Sequence, residues 1–361
     1  MGTSGDHGQV SPAATVPFSM IAVGPDSDPR QHAGYDYTVT LTSGISVNRL
    51  SGVGGAGCGG NLSIRPADFN IKLNRISTTE KATPGFYSVQ FDNGTTVNLT
   101  ASKHAAIERY SFGNNAEQAL YLNLNAGFTS TEVAYEIKSK QEIRGFIQAK
   151  NTCDRGHYQQ SFSLQTSQPY SFQKISEKRI KLIFDKPVVE VRIGLSSVSP
   201  ADAAEELQTL DKLSFDSIRQ QAAQQWTNLL QAIDVSGSTP EERTIFYTSL
   251  YRACLSPHEV APRGHFYHAT DGHLHLASGH DYYSSWSMWD TYRCKFTLLT
   301  LIAPDVMQNA ACSLIDLFNQ GKAAWSTDFE PTPTVRTEHS ALLLLDCYRR
   351  GLTNMTFFMF V

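Results

Sequence analysis

At Ser199-Pro200 the hydrophobic pattern of this chain changes period, and that change does most to limit what it can fold into. Before it, short alternating runs recur, such as Tyr87-Ser88-Val89-Gln90-Phe91 and Val188-Val189-Glu190-Val191-Arg192-Ile193. Alternation with a period of two puts one set of side chains on each face of a strand. Asp92-Asn93-Gly94, set between two such runs, is a strong hairpin turn. Strands at this spacing, punctuated by Gly, Asn and Pro, predict a large antiparallel β-sandwich. After the break the period is helical. Residues 201–210 and 215–232 predict helices, the second with Phe215, Ile218, Ala222, Trp226, Leu229 and Leu230 near one face. Pro200 suits a first helical turn. Further helices are expected over 240–255, 290–302, 305–319 and 337–350, punctuated by Pro304 and Gly351.

This divides the chain into a β-sandwich domain (1–199), a helical linker (200–236) and the start of an α-barrel (237–361). A length of 361 residues has room for cores of that size. The net charge of −4 offers no basic field, which argues against nucleic acid as a partner. No run of about 18 apolar residues is present, so no membrane span is expected. The six cysteines form no CxxC or Cys/His metal spacing and read as buried thiols. No signal peptide is visible. The apolar ending Phe357-Phe358-Met359-Phe360-Val361, with no cap or polar tail, reads as cut rather than finished.

Four segments concentrate chemistry. The first holds Gly5-Asp6-His7-Gly8 and Thr15-Val16-Pro17-Phe18-Ser19-Met20. The second runs Asn48-Arg49-Leu50-Ser51-Gly52-Val53-Gly54-Gly55-Ala56-Gly57-Cys58-Gly59-Gly60-Asn61. So many glycines demand unusual backbone angles or very close backbone approach. The run lacks the lysine of a phosphate loop and no helix follows it. A backbone lining a polar site and a plain flexible turn both remain open. The third is Tyr282-Tyr283-Ser284-Ser285-Trp286-Ser287-Met288-Trp289-Asp290-Thr291-Tyr292-Arg293. Trp289 offers a stacking face, Asp290 a bidentate acceptor for vicinal hydroxyls and Arg293 a charge partner, the mixture a sugar site wants. Asp290 suits equally well the N-cap of the helix behind it. The fourth, residues 325–339, is a polar loop carrying Asp328, Glu330, Glu338 and His339. Glycoside hydrolysis needs two carboxyl groups flanking the bond; Glu338 would also serve as an ordinary first-turn residue. The histidines at 265, 268, 273, 275 and 280 match no ligand template and read as an exposed loop. Asn61, Asn93, Asn98 and Asn354 fit a glycosylation pattern that is common by chance.

Taken in order, these segments resemble glycoside hydrolase family 92. Gly5-Asp6-His7-Gly8 with residues 14–20 resembles the family's opening motif, and Arg49-Leu50-Ser51-Gly52 with the glycines behind it resembles the second. Pro84-Gly85-Phe86-Tyr87-Ser88-Val89 and Asn98-Leu99-Thr100-Ala101 resemble its sandwich strands. Phe246-Tyr247-Thr248-Ser249-Leu250-Tyr251-Arg252 and Leu255-Ser256-Pro257 resemble the first barrel helix. The most specific likeness is residues 287–293 followed by Leu298-Leu299-Thr300-Leu301. Each motif is weak alone; the ordered set spans nearly the whole chain.

The resemblance implies a β-sandwich, a helical linker and an (α/α)6 barrel, with the active site between sandwich and barrel. It implies inverting hydrolysis of terminal α-mannosides, α-1,2-linked ones foremost, in mannose-containing glycans. It also implies help from Ca2+ and a periplasmic or secreted location. Trp289, Asp290 and Arg293 then hold the terminal mannose, and His7, Gly55, Gly57 and Cys58 belong to loops closing over it. The chain departs from the family in two ways. The family's general acid is a glutamate in an Asn-Glu-Thr motif, and counting from Trp325 puts Pro331 there; Glu330, one residue away, and Glu338 are the candidates. A changed acid suits a changed leaving group, such as a mannosyl phosphate. The family's catalytic base and most calcium ligands belong to later barrel sequence, so this stretch is expected to be inactive alone. The rival reading is a mannose-binding remnant without hydrolysis.

Overall fold

The computed structural model describes residues 3, 10–27, 33–49, 59–127, 130–150, 156–285, 288, 291–322 and 339–352. Its first part is a run of antiparallel strands: β1 (Gly24–Asp26), β2 (Gly44–Ser46), β3 (Ser63–Arg65), β4 (Lys81–Thr83), β5 (Phe86–Gln90), β6 (Thr96–Ala101), β7 (Ala105–Ser111), β8 (Ala119–Asn123), β9 (Ser130–Ser139), β10 (Glu142–Lys150), β11 (His157–Thr166), β12 (Ser171–Ser176), β13 (Arg179–Ile183) and β14 (Val188–Ser196). Among the described residues they form two sheets, ordered β1-β2-β3-β8-β13-β12 and β4-β5-β6-β7-β14-β11-β10-β9. The hairpin β5–β6 shows how the sequence dictates this. Val89 faces Val97 and Tyr87 faces Leu99 in register. Alternation sends these four side chains inward, where they meet Ile45, Ile64, Leu122, Ile180 and Leu182 of the other sheet. The turn closes through Gly94 at φ +83°, and the Asn93 side chain accepts from the Thr95 N–H at 3.0 Å.

Inside this sandwich lies a carboxyl with no ion-pair partner among the described residues. Glu108 on β7 is wholly buried beside Tyr110, whose hydroxyl donates to it. Burial pushes its pKa up to about 8, with the tyrosine's hydrogen bond pulling the other way. A raised carboxyl pKa favours the folded state while the group stays protonated. Its contribution is complete below about pH 4.5 and is lost progressively as pH rises to about 8. The slope is at most about 1.4 kcal/mol per pH unit. Denaturant titrations at pH 4.5 and 8 are therefore expected to show a loss of a few kcal/mol in the parent that Glu108→Gln lacks. Parallel pH dependence in the two proteins would remove Glu108 from this role.

Helices follow: α1 (Pro200–Gln208), α2 (Phe215–Leu230) and α3 (Pro240–Ala253). Each starts on a capping residue. Ser199 accepts from the Asp202 N–H, Ser214 from the Ser217 N–H, and Thr239 forms a capping box with Glu242. α1 and α2 cover the outer face of the eight-stranded sheet, burying Leu207, Leu210, Phe215 and Ile218 against Phe86, Ala105 and Ile107. α1 comes so close to β14 that a Cβ on Gly194 would collide with the Ala203 carbonyl oxygen. Further on come β15 (His258–Ala261), β16 (Phe266–His268), β17 (Leu274–Leu276), β18 (Tyr282–Ser284), α4 (Thr291–Ile302), α5 (Pro304–Asn319) and α6 (His339–Arg349). α4, α5 and α6 pack on one another around a second core that includes Phe296, Leu299, Met307, Leu314 and Leu343. Trp226 of α2 and Phe18 of the N-terminal segment enter the same core. The chain is thus a β-rich part with antiparallel sheets joined to a helical part, and α2 belongs both to the layer on the sheet's outer face and to the second core.

Candidate active site

A cavity lies between those two parts and has a volume of about 60 Å³. That is room for about four waters or for the hydroxyls along one side of a sugar ring. Asn48, Gly59, Tyr158, Gln160 and Ser197 face it from the sandwich. His258, His268, Thr270, Tyr282, Ser284 and Ser285 face it from the helical part.

Strand geometry places most of these groups. On β11, Tyr158 and Gln160 share a face with Phe162 and Leu164, which sit in the sandwich core. Towards the start of the strand the same face is polar and opens to the cavity. On β15, His258 and Val260 line the cavity and Glu259, between them, points away. His258 pairs with Ser284 across β15–β18. Ser285 then takes φ +68°, a conformation costly for a residue with a Cβ, and so turns into the wall.

The polar side chains are held by one another. The Asn48 side chain accepts from the Gly60 N–H at 2.9 Å and donates to Gln160 at 3.4 Å. Asn61 donates to the Tyr158 hydroxyl at 2.8 Å and accepts from Ser130 at 2.9 Å. Asn61 is therefore a buried strut and not an accessible glycosylation acceptor. The end of the glycine-rich run is fixed too. Gly59 and Gly60 both have positive φ, and a Cβ on either would strike Asn48 or Arg49. Arg49 reaches Asp26 with Nε at 3.1 Å and Nη2 at 3.0 Å, and donates through Nη1 to the Gly59 carbonyl at 3.3 Å.

Burial keeps His258 neutral, pushing its pKa down to about 3, with Lys295 adding to the effect. Lys295 is itself lowered to about 8 by burial and donates to the Ser256 hydroxyl. One ring nitrogen is hydrogen-bonded to the Leu255 backbone, so the neutral imidazole keeps the other as an acceptor for a hydroxyl. Among the described residues no carboxylate lines this cavity. Among the described residues no three His, Cys, Asp or Glu side chains gather as metal ligands. Calcium favours six to eight oxygens with carboxylates prominent, so the described walls do not fit it. They offer hydrogen-bond donors and acceptors to a bound hydroxyl and, among the described residues, no carboxyl to transfer a proton.

Of the residues expected from sequence, Arg293 is described. It is exposed on the first turn of α4, and its Nε donates to the Tyr292 hydroxyl at 2.7 Å, outside the cavity wall. His7, Gly55, Gly57, Cys58, Trp289, Asp290, Glu330 and Glu338 lie outside the described residues. Sequence reasoning missed Tyr158, Gln160 and His258. Nothing local marks them, because they meet only through the fold.

Comparison with known proteins bears on this geometry. The family model described as glycosyl hydrolase family 92 N-terminal domain matches residues 1–198, and that of the family 92 catalytic domain matches residues 201–359. Among solved structures the chain is similar to the family 92 glycosyl hydrolase ccman5, with a TM-score of 0.86 and 27% identity, over 97% of this chain and 53% of that one. It shares its fold with a family 92 α-mannosidase from Bacteroides thetaiotaomicron, at a TM-score of 0.80 and 22% identity, over 89% of this chain and 49% of that one. A curated relative, an uncharacterized secreted glycosidase of Arthroderma benhamiae, is 29% identical over 125 residues, or 30% of this chain and 16% of its own length. The chain spans about half the length of these solved structures.

Proposed function

Because the chain belongs to glycosyl hydrolase family 92, we propose that it forms the N-terminal half of the working unit of a glycosidase that removes terminal α-linked mannose from glycans. The observation that carries this is that the two family models together account for nearly the whole chain, in order. The mannosidase fold of the B. thetaiotaomicron enzyme and its solution in complex with mannoimidazole support mannose as the sugar.

In this reading α3 to α6 begin an (α/α)6 barrel, and the boundaries are a sandwich to 199, a linker to 236 and barrel sequence beyond. Exposed apolar residues on α4 and α6, Leu301, Leu342, Leu345 and Tyr348, support it, because barrel helices bury such faces against neighbours. Trp289 and Asp290 hold the terminal mannose, with Arg293 as charge partner. Loops carrying His7, Gly55, Gly57 and Cys58 close over it, and the His258 and Tyr158 walls exclude water beside it. Glu330 or Glu338 protonates the departing oxygen, and a carboxylate from the half the relatives have in addition activates water on the opposite face, inverting the anomeric centre. Calcium dependence and α-1,2 preference rest on the family alone. A periplasmic or secreted location draws support from the fungal relative, whose name calls it secreted. No helix among the described residues is long and apolar enough to cross a membrane.

The test is mannose release from α-1,2-linked mannobiose by the purified chain, with calcium and with chelator, beside calorimetry with mannose. Binding without release is expected. Calcium-dependent release would place a catalytic base among these 361 residues and overturn the half-site reading. Absence of both binding and release from folded protein would count against mannose as the ligand.

A further inference from the structure

The strand that gives His258 and Val260 to the cavity gives its other face to a cluster of charged groups at the junction of the two parts. Glu259 is only 8% exposed. One of its oxygens accepts from Lys103 at 2.9 Å and from the Tyr283 hydroxyl at 3.4 Å. The other lies 3.5 Å from His104 Nε2. His104, itself 4% exposed, places Nδ1 3.0 Å from Glu206 of α1. The backbone joins in: the Glu259 N–H donates to the Phe18 carbonyl at 2.8 Å, and Ser19 Oγ donates to the Lys103 carbonyl at 2.7 Å. Glu259 thus meets the N-terminal segment through its backbone, and its carboxylate meets the β6–β7 turn, α1 by way of His104, and β18.

We propose that Glu259 is a positioning residue, which locks the helical part onto the sandwich and thereby sets where His258 and Val260 stand in the cavity wall. This rests on the reading of that cavity as part of a sugar site. The physical case is directional. Glu259 is buried, so its charge has little water to fall back on, and a buried carboxylate without its partners is costly. Its ammonium partner Lys103 comes from the sandwich, as does the neighbouring His104, whereas its backbone belongs to β15. Loss of the charge should free β15 from the sandwich without disturbing either core, because the cluster includes no residue of the sandwich core or of the α4–α6 core except Phe18, which takes part through its backbone carbonyl, and Tyr283.

The test is amide hydrogen exchange on the whole chain, with Glu259→Gln, which keeps the shape, and Lys103→Met, which removes the partner from the less buried side. Both variants are expected to speed exchange in β15 and at residues 284–285 by tenfold or more. The β5–β6 hairpin should be unchanged, Lys103→Arg should stay slow, and the double variant should exceed either single one little. Unchanged exchange in β15, or an equal rise across the sandwich, overturns the proposal. Mannose affinity is read separately by calorimetry on the same proteins. If the parent chain binds no mannose, it is the sugar-site reading that fails, while exchange still decides whether Glu259 couples the two parts. If the parent binds and Glu259→Gln binds equally well despite fast exchange in β15, Glu259 does not set the wall.

Discussion

Trp226→Ala is expected to cost about 3–5 kcal/mol and to loosen the contact between the N-terminal segment and the helical part. Trp226 is 1% exposed and lies in the second core with Phe18, Cys254, Tyr283, Met307 and Leu314. Its ring centroid is 4.3 Å from that of Tyr251. Its indole N–H donates to the Thr15 carbonyl at 2.7 Å. Truncation therefore opens a large void, removes an aromatic contact and leaves the carbonyl of Thr15 buried without that donor. Trp226→Phe separates the terms. It retains much of the ring but not the N–H, so a much smaller loss is expected. Unfolding followed in denaturant, with hydrogen exchange over residues 240–320, checks both. A cost below about 1 kcal/mol for the alanine variant would mean that the site collapses and that α2 is not the bridge described.

Trp226 is legible in the sequence as one of the apolar positions on a predicted helix face. The helices were legible because their signals are local. The helices expected over 201–210, 215–232 and 240–255 start within a residue of those observed, with Pro200 in the first turn of α1, and Asp92-Asn93-Gly94 marks the hairpin. The sandwich followed from alternation. The cavity was legible only in part. Asn48, His268 and Tyr282–Ser284 lie within segments that the sequence had marked, but their roles did not. Tyr158, Gln160 and His258 come from stretches about 100 residues apart, and only sheet order and the docking of β15 bring them together. Asn61 shows the converse: a local pattern suggests surface chemistry, and tertiary burial turns it into a strut.

Arg49→Met is expected to be as damaging, about 3–5 kcal/mol, for an electrostatic reason. Arg49 is 1% exposed and grips the 3%-exposed Asp26 with two nitrogens. A buried charge pair need not stabilise relative to a well-packed apolar pair, but removing one partner leaves the other carboxylate stranded away from water. Asp26→Asn in the Arg49→Met background should therefore recover much of the loss, making the double variant more stable than the arginine variant alone. The effect should also reach the cavity. Arg49 donates to the Gly59 carbonyl, and Gly60 packs so closely on the guanidinium that no Cβ fits. With the guanidinium gone, the Gly59–Gly60 wall keeps only its hydrogen bond to Asn48, while Tyr158 and Gln160 on β11 keep their supports. Affinity for mannose should fall in the arginine variant and stay low in the double variant, even as stability returns. If affinity recovers together with stability, Arg49 contributes only to folding. If the two substitutions simply add, the pair is not the coupled clamp that its geometry describes.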